Sequence, residues 1–225
     1  MVYLYRVSLW FYYQLIRLAA FSNAKAAEFI NARKGLFEQI ERQLDATDEP
    51  IIWLHAASVG EYEQGKPIVQ AIKKEFPNHK TLVTFFSPSG YNAYKADGDL
   101  DFVFYLPIDS HRNARKFLTV VKPAVAIFVK YEFWYFYLLE LARQDIPLLM
   151  VSTVFRSNQM FFHRMGRFYL NAIKATHRFF VQDNESMALL NKHGIEQVEV
   201  SGDTRLDQML QISSNSWRSH LLEEF

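Results

Sequence analysis

The chain predicts an α/β domain built on a doubly wound parallel sheet. Short apolar runs of strand length alternate with helix-period segments along most of its length. Those runs are apolar throughout, as strands covered on both faces must be. Half of the 225 residues are hydrophobic, enough for a sizeable core.

The elements follow in order. Residues 2–20 read VYLYRVSLWFYYQLIRLAA. Arg6 and Arg17 bracket too few residues for a spanning helix, which needs about 20 apolar ones. The aromatics and the second arginine also argue against a secretory leader. Two readings stand: an interfacial helix, or an amphipathic helix packed on its own domain. In the first, Leu9, Trp10, Tyr13, Leu15 and Ile16 supply apolar area. Arg6, Arg17, Lys25, Arg33 and Lys34 supply charge for anionic headgroups. Helical character continues over 24–45, with few breakers until Gly35. Residues 51–55 are a short apolar strand, and 64–76 a helix with Ile68, Val69, Ile72 and Phe76 on one face. Strands follow at 81–86, 102–106, 124–129, 147–152, 178–182 and 198–201. Helices fall between them at 91–96, 113–121, 136–144, 161–175 and 185–193. The expected division is a helical segment at 1–45, a sheet domain at 46–212 and the start of a linker at 213–225.

Composition excludes several function classes. The net charge of +1 gives no case for nucleic-acid binding. With no cysteine, disulfides and thiolate metal sites are impossible. The seven histidines are scattered without metal-ligand spacing.

In a doubly wound fold, ligands sit at the carboxyl ends of the strands. AASVGE stands after the first strand, SPSG after the second, PIDS after the third, Lys130-Tyr131-Glu132 after the fourth and STVFRS after the fifth. Ser58-Val59-Gly60-Glu61 has the form of a capping box, in which Ser58 accepts from the third helical N–H and Glu61 reaches back. A carboxylate there also suits the helix dipole. The same glutamate, beside small Ala56, Ala57 and Gly60, is placed to take a proton from a hydroxyl in a partly dry cleft. The two roles can coexist. His55 reads as a satisfied strand-end residue rather than a metal ligand. Lys130 and Glu132 read as a surface pair. SPSG could offer backbone amides to a phosphate, although one glycine makes a poor cradle. The aromatic-basic stretch FFHR through Arg167 and Phe168 reads as a core face backed by a solvated one, or as a surface for an anionic acceptor or a membrane.

WLHAASVGEYEQGKPIV resembles the bacterial 3-deoxy-D-manno-octulosonic acid (Kdo) transferases. TFFSPSGYNAY, YLPIDSHRNARKFL, KPAVAIFVKYEFW, STVFRS and VSGDTRLDQ extend the resemblance, in order, over about 33–210. It implies the N-terminal, Rossmann-like half of a GT-B-type glycosyltransferase. The activity implied is transfer of Kdo, with inversion, from CMP-Kdo to the lipid A precursor (lipid IVA) in lipopolysaccharide inner-core synthesis. Glu61 is then the catalytic base. Ser58, Gly60, Lys130, Glu132, Arg156 and Ser157 are the acceptor-binding residues, with Lys130 and Arg156 meeting acceptor phosphates. No metal or other cofactor is implied. CMP-Kdo is held mainly by a second domain, so this half alone should be inactive. The implied partners are the lipid A precursor, CMP-Kdo and an anionic membrane surface, at the cytoplasmic face of the inner membrane. Two departures stand out. Lys130 replaces the first acid of the family's E-x-E-x-W-P pattern, and Tyr135 its proline. Gly202-Asp203-Thr204-Arg205 stands where many relatives have G-N-x-K, and arginine is not equivalent to lysine. The rival readings are a non-catalytic lipid-binding module of the same fold and a GT-B-type enzyme for another lipid-linked sugar.

Overall fold

The computed structural model describes residues 1–203. Three helices come first: α1 (Val2–Ala19), α2 (Ala24–Asn31) and α3 (Leu36–Leu44). The sheet region follows as β1 (Ile51–Ala56), α4 (Val59–Glu75), β2 (Lys80–Phe85), α5 (Pro88–Tyr94), β3 (Phe102–Tyr105), α6 (His111–Val121) and β4 (Val125–Val129). It continues as α7 (Tyr135–Arg143), β5 (Leu148–Thr153), α8 (Arg167–Ile173), β6 (Arg178–Val181), α9 (Asn184–Lys192) and β7 (Val198–Val200). Thr204, Arg205 and the linker expected at 213–225 lie outside the described residues.

Among the described residues seven strands form one parallel sheet, in the order β3-β2-β1-β4-β5-β6-β7. This is the doubly wound sheet that the alternation of strands and helices predicts. β1 lies inside the sheet, between β2 and β4, and is buried along its whole length. Its side chains alternate between two apolar layers, as strand geometry requires. Ile51 and Trp53 join the layer built with α3, α6, α7 and α8, whereas Ile52, Leu54 and Ala56 join the layer under α4.

Local chemistry sets the helix ends. Ser87, Ser110 and Asp183 cap α5, α6 and α9, each side chain accepting a backbone N–H from the first turn. Gly35, at φ 66°, splits the helix expected over 24–45 into α2 and α3. Two other expectations change. α4 begins at Val59 rather than 64, with Pro67 inside it. The helix expected at 161–175 is shortened: 3₁₀ turns at Met160–Phe162 and Arg164–Gly166 precede a helix over Arg167–Ile173. Gly166 explains the break. A Cβ there would lie 2.0 Å from the Met160 carbonyl oxygen, so two backbone segments touch where a continuous helix would hold them apart.

α1 lies against the domain through Tyr5, whose ring meets Tyr135, Phe136 and Tyr169. None of its residues is fully buried. Among the described residues, no helix is long and apolar enough to cross a membrane.

Candidate functional site

The strand order reverses between β1 and β4. In an open α/β sheet the crevice beyond the strand ends at such a reversal is where ligands bind. The residues that follow these two strands therefore define the candidate site.

After β1 the chain turns through Ala57 and Ser58 into α4. Ser58 is the N-cap residue, but its side chain makes no capping bond. Its hydroxyl donates instead to Glu61 Oε2. The expected capping box thus does not form, because its two side chains bond to each other. That bond fixes the direction of the Glu61 carboxylate, which is only partly buried. Gly60 is exposed, and a Cβ there would meet nothing within 4 Å. The space over this turn is open to a ligand. Gly65, one turn on, faces inward: a Cβ there would lie 3.0 Å from Val129 and 3.2 Å from Leu54, so α4 sits tightly on the ends of β1 and β4.

After β4 comes Lys130, at φ 64°, a left-handed conformation that non-glycine residues rarely adopt. Its N–H donates to the Val151 carbonyl. This bend directs Glu132 back toward β1. Glu132 Oε2 accepts from the Trp134 indole N–H at 2.7 Å and lies 3.2 Å from His55 Nε2. The surface pair expected between Lys130 and Glu132 is replaced by this inward contact with a fully buried histidine.

His55 is held from behind. Its Nδ1 lies 3.0 Å from the Thr84 carbonyl oxygen and 2.8 Å from Thr84 Oγ1. A carbonyl only accepts, so the first of these bonds places a proton on Nδ1. Nε2 then has a partner in either protonation state. Bare, it accepts from the Trp134 N–H, 3.0 Å away; protonated, it donates to Glu132. Thr84 Oγ1 in turn accepts from the Trp53 indole at 2.8 Å.

The expected site residues therefore form two adjacent groups, Ser58-Gly60-Glu61 and Lys130-Glu132, with His55 joining the second to β1. Arg156 and Ser157 follow β5, one strand farther out, and both are exposed. The Arg156 backbone N–H donates to Gln159 Oε1. Sequence reasoning missed the organising roles of His55, Thr84, Trp134 and Gln64. Gln64 donates to the Gly60 carbonyl and accepts from Ser152, bridging the turn after β1 to β5. The one local signal was His55 itself, a polar group closing an apolar run.

Comparison with known proteins identifies the family. A family model described as 3-deoxy-D-manno-octulosonic-acid transferase (kdotransferase) matches residues 29–208. The 3-deoxy-D-manno-octulosonic acid transferase of Haemophilus influenzae is 32% identical over 117 residues, 52% of this chain and 27% of that protein. The enzyme of the same name from Chlamydia muridarum is 26% identical over 205 residues, 86% of this chain and 47% of that protein. The chain thus spans less than half the length of these relatives. Among solved structures, a UDP-N-acetylglucosamine 2-epimerase superposes with a TM-score of 0.55 at 14% identity, over 78% of this chain and 54% of that one. A putative epimerase of that name from Listeria monocytogenes gives 0.57 at 12%, over 78% of this chain and 50% of its own. At such identities the likeness is one of Rossmann-like fold. The family match over most of the chain is decisive, and the chain belongs to the Kdo transferase family.

Proposed function

We propose that this chain is the acceptor-binding half of an enzyme that transfers Kdo from CMP-Kdo to the lipid A precursor, lipid IVA. The observation that carries the reading is Glu61, held by Ser58 in the first turn of α4 at the reversal of strand order. Glu61 takes the proton of an acceptor hydroxyl. The freed oxygen bonds to the anomeric carbon of Kdo from the face opposite the nucleotide, the carbon–phosphate-oxygen bond breaks, and CMP leaves with its electron pair. The configuration inverts. Gly60 leaves room for the acceptor sugar above the carboxylate. Lys130 and Arg156 meet acceptor phosphates, and Ser157 and Glu132, the latter set by His55 and Trp134, bond to the acceptor. CMP-Kdo is held mainly by a second domain, and no metal or other cofactor takes part. The enzyme works at the cytoplasmic face of the inner membrane, with the exposed aromatic face of α1 on the bilayer.

Glu61→Gln in the full-length enzyme tests the assignment. The amide oxygen still accepts from Ser58, so fold and acceptor affinity should persist. Loss of a general base should lower turnover about a hundredfold or more. Transfer close to the parent rate would remove Glu61 from the chemistry.

A further inference from the structure

A groove of about 880 Å³ runs between α1 and the body of the domain. Four basic side chains line it: Arg6 from α1, Arg33 from the α2–α3 turn, and His111 and Arg112 from the start of α6. Among the described residues, none of the four forms a salt bridge. Its apolar lining comes from Leu9 and Trp10 of α1 and from Leu36 and Phe37 of α3.

Arg33 is the unusual member. Its Nε donates to the Leu106 carbonyl, Nη1 to Phe29 and Nη2 to Phe86, at 2.8–3.1 Å. Its guanidinium carbon sits 3.7 Å over the Phe29 ring. Burial lowers its pKa to about 10, so it stays charged at neutral pH. Carbonyl dipoles solvate such a cation but do not neutralise it, and a desolvated charge without a counter-ion is costly. Among the described residues the one carboxylate on the groove wall, Asp109, is turned to other partners. Its oxygens accept from the Tyr5 hydroxyl and from the N–H groups of Phe136 and Tyr137.

Excess positive charge over an apolar floor suits a ligand with an anionic head and a hydrocarbon tail. The outer face of α1 indicates where that ligand comes from. Tyr3, Leu4, Phe11, Leu15 and Leu18 are all exposed there, so the groove mouth borders an apolar surface. We propose that this groove binds one anionic phospholipid of the bilayer, its phosphate among Arg6, Arg33 and Arg112 and its first acyl methylenes over Leu36 and Phe37. A lipid seated there ties α1 to the domain and fixes the height of the strand ends above the membrane. The proposal needs no transfer chemistry, and it stands or falls separately from the Kdo reading.

The test is calorimetric titration of this chain with short-chain lipids below their micelle concentration. Dihexanoyl phosphatidylglycerol should bind at least tenfold more tightly than dihexanoyl phosphatidylcholine, and at least tenfold more tightly than glycerol phosphate. The double variant Arg6→Gln/Arg112→Gln changes two exposed residues, so it should keep the parent's circular dichroism and lose the headgroup preference. Arg33→Gln should lose it too if it folds, and the double variant decides the matter if it does not. Equal binding of the two lipids would reduce the groove to an apolar surface and overturn the proposal. So would glycerol phosphate binding as tightly as the anionic lipid, or an unchanged preference in the double variant.

Discussion

At the scale of single residues, the site depends on polar groups buried and satisfied in sequence. The contacts run from Trp53 to Thr84 to His55, whose Nε2 lies beside Glu132 and beside the Trp134 N–H that Glu132 accepts. Each member fixes the next, so the direction of Glu132 at the cleft is set by Thr84 on the neighbouring strand. Thr84→Val tests this. Valine keeps the shape but leaves the Trp53 N–H without its acceptor and His55 Nδ1 with the carbonyl alone. Leaving a buried donor unsatisfied costs about 1–3 kcal/mol. The expected result is a lower urea midpoint with an unchanged slope. A loss under about 0.5 kcal/mol, a fraction of the cost of an unsatisfied buried donor, would mean that the network does not support the site. The sequence showed His55 as a satisfied strand-end residue but not its partners. His55 and Thr84 are 29 residues apart and meet only because parallel pairing sets them in register. The pairing of Ser58 with Glu61 was legible, since the two are neighbours on one turn. Even there the sequence pattern implied bonds to backbone, and the structure has the two side chains bonding to each other.

At the scale of elements, hydrophobic runs located the strands well, because a strand buried on both faces shows as an uninterrupted apolar segment. The helices were less legible where close approach, rather than periodicity, decides. The stretch after β5 has helical spacing, yet Gly166 lets the backbone fold onto Met160 and shortens α8. SPSG is a second case. Its glycine raised the possibility of a phosphate cradle, but Gly90 has a packing role: a Cβ there would lie 2.3 Å from Cδ1 of buried Phe85. That ring is fixed by stacking on Tyr94 and by an edge contact with Tyr62. Gly90→Ala should therefore destabilise the domain. Overpacking costs about 1–3 kcal/mol, partly offset by about 0.5–1 kcal/mol from better helix propensity. The expected outcome is a net loss in urea unfolding. A gain in stability would show that α5 is free to lift from β2.

At the scale of the whole molecule, Asp109 joins three separate parts of the fold. It stands on the loop between β3 and α6, accepts the first N–H groups of α7 and receives the Tyr5 hydroxyl from α1. Burial raises its pKa to about 6, against the opposing pull of those hydrogen bonds. Because the folded pKa lies above the unfolded value, the native state holds a proton that the unfolded chain has already released. The contribution to stability is therefore full below about pH 4, the unfolded carboxylate value. It declines as pH rises and is gone above the folded value near 6. The contribution amounts to about 3 kcal/mol at most. Other carboxylates titrate in the same window, so the useful quantity is the difference between the parent and Asp109→Asn, which cannot ionise there. Urea unfolding from pH 4 to pH 7.5 should show the parent losing stability relative to the variant up to about pH 6, with a constant difference above pH 7. A flat stability difference across the window would show that Asp109 is ionised throughout and that its bonds to α7 and α1 outweigh its burial.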